Sequence, residues 1–383
     1  MDCVSPLRCW AVGSTVGTSG APNGAAVIST GDGGSSWTAQ PIPATVGYLS
    51  DISCSDRHFC AAVGQLTQTS NGQGTIITTS DGGTTWTAGT VPVGIFDVTA
   101  VACQANRRCL AIGTAATGSA ALVSSPSRPG WVQQGTLPPG LTGATDISCP
   151  DSQHCWVTIN ETVDVDHVAG QVALTTDGGS RWATAAAPKA VGYLNGIACF
   201  RGAPGGNGLP FTSTTPTTAA PATTPQGTAT ESTTTGSTTT SGPTTTTTPP
   251  ASTTTTTAPA GLRGAWCVAV GTTASTVTGT RTGHGVVLTT TNGGAAWTSQ
   301  PISPTSAALM GVSCTAVNTC VGVGSAVGLA PEAGLSILTG ADSHPWRRAA
   351  TVSSPQVLTS VSCVSLSACV LVGESISQRL VTG

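Results

Sequence analysis

Thr30-Gly31-Asp32-Gly33-Gly34-Ser35-Ser36-Trp37 returns with little change three more times, at Thr79 to Trp86, Thr175 to Trp182 and Thr290 to Trp297. Each copy follows a short apolar run of β character: Ala26-Val27-Ile28, Ile76-Ile77, Val172-Ala173-Leu174 and Val286-Val287-Leu288. The letters carry a turn. Asp-Gly-Gly tolerates positive φ, the carboxylate accepts backbone amides, and the tryptophan opens the next strand. In the fifth unit Asn292 stands in for the aspartate, a mild change because asparagine bonds the same turn and visits the left-handed region. Two further units hold a decayed version, at Ser124 to Trp131 and Thr339 to Trp346, and both keep the tryptophan. Six of the nine tryptophans therefore take a packing role.

Working outward, the cysteines set the period. Cys3 and Cys9, Cys54 and Cys60, Cys103 and Cys109, Cys149 and Cys155, Cys314 and Cys320, and Cys363 and Cys369 all share the spacing C-x5-C. Cys199 and Cys267 form a seventh pair split by a long insertion. Metal binding is the competing explanation, but the chain has five histidines and no C-x2-C spacing. The first cysteines fall at 3, 54, 103, 149, 199, 314 and 363, a period near fifty once the insertion is removed. Such a period means a propeller or another repeat array. Between Leu49 and Trp86 one unit reads as four short strands, which is one propeller blade.

The turn resembles the Asp box of bacterial-neuraminidase-type repeats, [Ser/Thr]-x-Asp-x-Gly-x-[Ser/Thr]-Trp. That resemblance implies an Asp-box β-propeller, in the company of photosystem II stability/assembly-factor-like, sialidase-like and sortilin-like propellers. The expected fold is all-β: seven blades of four antiparallel strands with one blade incomplete. The structural box residues are then Asp32, Trp37, Asp81, Trp86, Asp177, Trp182, Asn292 and Trp297. The count of strand-like runs gives seven second and seven third strands, but six first and six fourth strands. The chain opens at a cysteine turn without the strand that should precede it, which suggests a start inside a longer protein.

Composition narrows the class. Charged residues make up 8% of the 383, against roughly 25% in an average soluble domain. A net charge of −3 carried by so few groups offers no basic patch for nucleic acid and no polybasic segment for a membrane. No transmembrane run is visible. Seven equivalent disulfides imply an oxidising compartment, so a secreted or cell-surface location is expected. Residues 202–261, rich in Thr and Pro with almost no large apolar side chains, form a disordered, mucin-like insertion between propeller parts 1–201 and 262–383.

In a propeller the cysteine turns and box turns share one face, and the loops between second and third strands lie on the other. The second face is where similar propellers hold substrates. Its ionisable groups are sparse. The loop Asn160 to His167 offers Glu161 and, as weak ligands for a cation such as calcium, Asp164, Asp166 and His167. Arg281, His284 and Glu332 join Glu161 as candidates for contacting a partner or glycan. Asn160-Glu161-Thr162 matches a glycosylation sequon. Tyr48 and Tyr193 occupy equivalent places and read as structural. Trp10 and Trp156, each directly after the second cysteine of a pair, read as packing against the disulfide.

No catalytic residue and no cofactor stand out. A sialidase centre needs three arginines, a Tyr–Glu pair and an acidic proton donor. Here the first blade lacks a Phe-Arg-Ile-Pro-like motif. Arg8, Arg57, Arg107, Arg108 and Arg181 sit on the turn face, and the only glutamates are Glu161, Glu231, Glu332 and Glu374. Xyloglucan-cleaving Asp-box enzymes use paired aspartates, and the twelve aspartates here show no pairing signal. The expected function is a non-catalytic propeller that binds or scaffolds a protein or polysaccharide. The alternative is an Asp-box glycoside hydrolase.

Overall fold

Where a strand is covered on both faces its alternation disappears, and the second strands show this directly. Ala61, Ala62 and Val63 are all fully buried, as are Leu110, Ala111 and Ile112, and Val268, Ala269 and Val270. Sheets stacked face to face impose that pattern. A computed structural model describes residues 1–16, 22–67, 72–126, 128–141, 143–162, 168–185, 191–201, 264–273, 284–300, 302–303, 306–326, 334–338, 346–351, 357–373 and 376–380. The chain divides into two units, Met1–Gly205 with Thr257–Gly383, and Gly206–Thr256. The second unit lies outside the described residues, and so does the expected insertion at 202–261.

The described residues form seven sheets, one for each repeat along the chain; in six of them the strands lie in sequence order and pair antiparallel, and the sixth carries an added edge strand. Blade 2 is representative: Val46–Cys54, Cys60–Leu66, Gly74–Thr79 and Thr87–Ala88. Six buried clusters join consecutive blades. The cluster between blades 4 and 5, for example, sets Trp156, Val172 and Leu174 against Val191, Leu194 and Leu288. The ring closes between blade 7 and blade 1. The amide of Cys3 donates to Ser362 Oγ at 3.0 Å, and Gly34 packs against Val370.

Two details differ from the sequence reading. Blade 1 does have a first strand, Asp2–Cys3, paired to Trp10 and Cys9. Only blade 7, with Leu358–Ser365, Ala368–Gly373 and Ile376–Leu380, lacks a fourth strand among the described residues. A strand of two residues leaves no periodicity to detect, and it is held by register to its neighbour rather than by pattern. Blade 6 gains an edge strand, Ile302–Ser303, which lies parallel to Trp346–Arg347.

All fourteen cysteines are bonded, in the seven pairs that the spacing suggests. Cys3 is joined to Cys9, Cys54 to Cys60, Cys103 to Cys109 and Cys149 to Cys155. Cys199 is joined to Cys267, Cys314 to Cys320 and Cys363 to Cys369. Cα–Cα distances are 4.0–4.2 Å throughout. The bonded residues stand directly opposite one another in the ladder, as at Cys103 and Cys109, Cys314 and Cys320, and Cys363 and Cys369. Cys9, Cys60, Cys109, Cys155, Cys267, Cys320 and Cys369, the second members, are all fully buried at the start of the second strand. Cys199–Cys267 joins the first strand of blade 5, Val191–Arg201, to its second, Ala265–Thr273, across a sequence separation of 68.

The four box turns share one hydrogen-bond scheme. The buried hydroxyl of Thr79 donates to Asp81 Oδ1 at 2.8 Å and accepts the Gly83 amide at 2.8 Å, and Asp81 Oδ1 accepts the Thr85 amide at 2.9 Å. Thr30 with Asp32, Thr175 with Asp177 and Thr290 with Asn292 repeat it. The paired glycines take positive φ, 75° and 96° at Gly82 and Gly83, which no β-carbon-bearing residue would hold cheaply. Donors from Ser36 and Thr85 hold the Asp32 and Asp81 carboxyls down at about 2. An intact box keeps the fourth strand short, two or three residues in blades 1, 2, 4 and 5. In blade 3, where the box has decayed, that strand runs nine residues, Arg128–Thr136.

The box also belongs to the seam between blades. Trp10 and Trp156 do more than pack beside their disulfides. Fully buried, each sends its indole N–H to the box of the following blade, Trp10 to the Gly82 carbonyl at 3.3 Å and Trp156 to the Gly293 carbonyl at 3.1 Å. In blade 3 Arg108 takes that part, donating to the carbonyls of Ser152 at 2.9 Å and Gly178 at 3.1 Å.

Candidate functional site in the central channel

The first strands line the axis of the ring. In Val46–Cys54 the residues Val46, Leu49, Ile52 and Cys54 are buried against the neighbouring blades, spaced by two shifts of register, while Ser50, Asp51 and Ser53 reach the channel wall. Inside is a cavity of about 400 Å³ whose wall holds Asp2, Asp51, Asp146, Asn195, Met310 and Ser360, among others.

A short word places the polar groups there. Asp51-Ile52-Ser53-Cys54 and Asp146-Ile147-Ser148-Cys149 are identical, and each reaches across to the next blade. Asp51 accepts the Ile52 amide at 2.8 Å and the Val101 amide of blade 3 at 2.8 Å. Asp146 accepts the Ile147 amide at 2.8 Å and the Ile197 amide of blade 5 at 2.8 Å. One rung further, Ser53 accepts the Cys103 amide and Ser148 the Cys199 amide, both at 3.0 Å. Ser313 and Ser362 continue this rung at the later seams, and in blade 1 Asp2 replaces the serine, accepting the Cys54 amide at 2.7 Å. Blades 3 and 5 carry Ala100, Ala102, Gly196 and Ala198 at these positions and have no such latch.

The three carboxyls are enclosed by the ring yet keep an edge on the cavity. Burial pushes all three upward, Asp146 to about 7, with the charge of Asp51 adding to the rise. The neighbouring amides pull the other way. Sequence reasoning saw no pairing among the aspartates; Asp51 and Asp146 lie 95 residues apart and come to line one cavity only in the folded ring. The repeated Asp-Ile-Ser-Cys word was the available signal.

On the open face, Glu161 ends the second strand of blade 4 and receives a hydrogen bond from Gln171 Nε2. His284 is exposed and exchanges bonds with Thr273 through its backbone. No described bond joins the two. Asp164, Asp166, His167, Arg281 and Glu332 lie outside the described residues. Among the described residues no cluster of three or more His, Cys, Asp or Glu is arranged to hold a metal. Asn160, the sequon residue, is occupied: its Nδ2 donates to the Leu194 carbonyl at 3.1 Å while its Oδ1 accepts the Leu194 amide at 2.8 Å. Tyr48 crosses a seam in the same manner, its hydroxyl on Asp97 Oδ2. A second opening, about 910 Å³, lies on the box face between the turns of blades 1 and 2. There Asp56 is paired with Arg107 at 3.1 Å and Asp81 is occupied by its own box.

No family model matches the chain, and no curated protein does. Solved structures do. The chain is similar to the GH74 enzyme of Niastella koreensis at 10% identity with a TM-score of 0.54, covering 92% of this chain and 50% of the enzyme. It is also similar to YCF48 from Cyanidioschyzon merolae at 10% identity and a TM-score of 0.50, covering 92% of this chain and 89% of YCF48. The chain thus spans half the length of the first. At such identities the shared property is the fold, and the chain is an all-β propeller.

Proposed function

We propose that the protein is a non-catalytic propeller that binds or scaffolds a protein or polysaccharide outside the cytoplasm. The observation that carries this reading is the use made of the channel carboxylates. Both oxygens of Asp51 and of Asp146 accept backbone amides, half of them from the adjoining blade. These side chains hold the ring rather than stand free as an acid and a nucleophile. What supports the location is the bonding of all fourteen cysteines. No helix among the described residues is long and apolar enough to cross a membrane.

A second reading has one observation in its favour. Asp51 and Asp146 face the same cavity, and Asp146 is held at about 7, as one of two paired carboxyls in a glycoside hydrolase would be. A screen of the oxidised protein against a glycan array and a panel of chromogenic glycosides separates the two. Saturable retention of a glycan or partner protein without turnover is the expected result. Hydrolysis of any glycoside, abolished by Asp146→Asn, overturns the binding reading.

A further inference from the structure

The opening on the turn face holds positive charges that the ring leaves unanswered. The chain has thirteen lysines and arginines in 383 residues, and two of them, Arg8 and Arg57, line the cleft of about 910 Å³ between the turns of blades 1 and 2. Neither forms an ion pair among the described residues, although Asp56 and Asp81 line the same cleft. Asp56 answers Arg107 of blade 3, and Asp81 is held by Thr79 and Thr85 of its own box. Both guanidiniums are nonetheless positioned. Arg8 lies over the indole of Trp10, 5.2 Å from the ring centre, and its Nη2 reaches the Gly82 carbonyl of blade 2 at 3.4 Å. The box glycine makes room for it, since a β-carbon at Gly82 would stand 3.1 Å from that nitrogen. Arg57 donates its Nε–H to His58 Nε2 at 2.9 Å. Its two Nη groups, the fork that grips a planar oxyanion, have no acceptor among the described residues.

The rest of the lining narrows the ligand. The Thr85 hydroxyl and amide hold the Asp81 carboxyl at about 2, so it stays ionised, and a dianion such as phosphate meets that charge at twice the cost of a single carboxylate. Arg8 and Arg57 stand on neighbouring blades and need not converge on one group. A chain that carries one carboxylate on each unit serves both. Asp81, Ser5 and Ser55 line the cleft as partners for hydroxyl groups, and half-exposed Leu7, with Val4, offers an apolar patch to the C–H face of a sugar ring. We propose that this cleft binds an acidic glycan, a chain of uronate-type sugars whose carboxylates pair with Arg57 and Arg8 while their hydroxyls meet Asp81, Ser5 and Ser55. The site lies on the turn face, apart from the open rim, and its failure leaves the binding reading of the rim standing.

Amide NMR of the oxidised protein, titrated with a de-esterified galacturonate tetramer, tests this site. The amides of Leu7, Arg57, His58 and Gly82 should shift saturably. The methyl-esterified tetramer keeps every ring hydroxyl and loses the charges, and it should bind about tenfold or more weakly. Arg57→Gln should weaken the de-esterified tetramer by a similar factor without moving the unfolding midpoint, because its side chain bonds only to the adjacent His58. Arg8→Gln should weaken it likewise. The proposal is overturned by the absence of saturable shifts, by equal binding of the ester, or by an unchanged affinity in Arg57→Gln. Tighter binding of inorganic phosphate or of an acetylated glutamate tetrapeptide, or shifts confined to the rim around Phe96, overturns it as well.

Discussion

Trp156→Phe and Trp86→Phe delete the same atoms from two buried sites and should differ in cost by about 2 kcal/mol. Both indoles are buried, and each loses about three ring atoms, worth about 1–2 kcal/mol in transfer and cavity terms. The nitrogens differ. Trp156 Nε1 donates to the Gly293 carbonyl at 3.1 Å in the seam between blades 4 and 5. Removing it loses the bond and strands a buried acceptor, about 1–3 kcal/mol more, or about 2 at the centre. Trp86 Nε1 has no acceptor among the described residues, so its removal takes away a buried donor that was already unpaired. Trp156→Phe should therefore cost about 3–4 kcal/mol and Trp86→Phe about 1 or less. Guanidinium midpoints at a fixed pH, with the disulfides intact and m unchanged, provide the comparison. A Trp86→Phe variant as damaged as Trp156→Phe would refute the idea that the bond from tryptophan to box clasps the seam.

The disulfides should also rank. In the chain-entropy treatment, replacing Cys199 and Cys267 by serine costs about 4 kcal/mol, because that bond closes a separation of 68, while the pair of Cys3 and Cys9, at a separation of 6, costs about 2. Denaturant midpoints of the two double variants should show that order, and equal losses would mean that native-state strain, not loop closure, decides. Asn160→Asp should lose about 1–3 kcal/mol, since it replaces the N–H that serves the Leu194 carbonyl with a second acceptor. Peptide mapping of protein made in a glycosylating host should find Asn160 unmodified; a glycan there would contradict its place in the seam.

The fold was legible because its signals are local. A box turn spans eight residues and a cysteine turn seven, so both survive as strings, and their recurrence fixes the blade. Another local signal passed unused. A glycine stands four residues after the second cysteine in six of the seven blades, as at Gly64 and Gly271. The structure shows why: a β-carbon at either would lie within 2.1 Å of the carbonyl of Tyr48 or Tyr193, where the first strand bulges inward. The channel was not legible in this way. Asp51 gains meaning only from Val101 and Asp146 only from Ile197, each about fifty residues distant; the repeated Asp-Ile-Ser-Cys word marks the two residues but does not name the amide each one meets.

This separation bears on where function can reside. Bonds cross the seams at the turn face, through Trp10, Trp156 and Arg108, and along the channel, through the aspartates and serines. Both sets spend polar groups on backbone of the next blade, and a group so spent is costly to recruit for a ligand. Seam bonds appear toward the open rim too, among them Tyr48 to Asp97, Gln65 Nε2 to the Phe96 carbonyl and Asn160 to Leu194. Exposed Val93 and Phe96 stand between blades 2 and 3 on that side, and Glu161 is bonded within its own blade. A partner that docks on the exposed side chains of Val93 and Phe96 meets groups whose loss would leave these seam bonds in place. Substitution at Phe96 should therefore alter binding without moving the unfolding midpoint, whereas substitution at Asp51 should move the midpoint first.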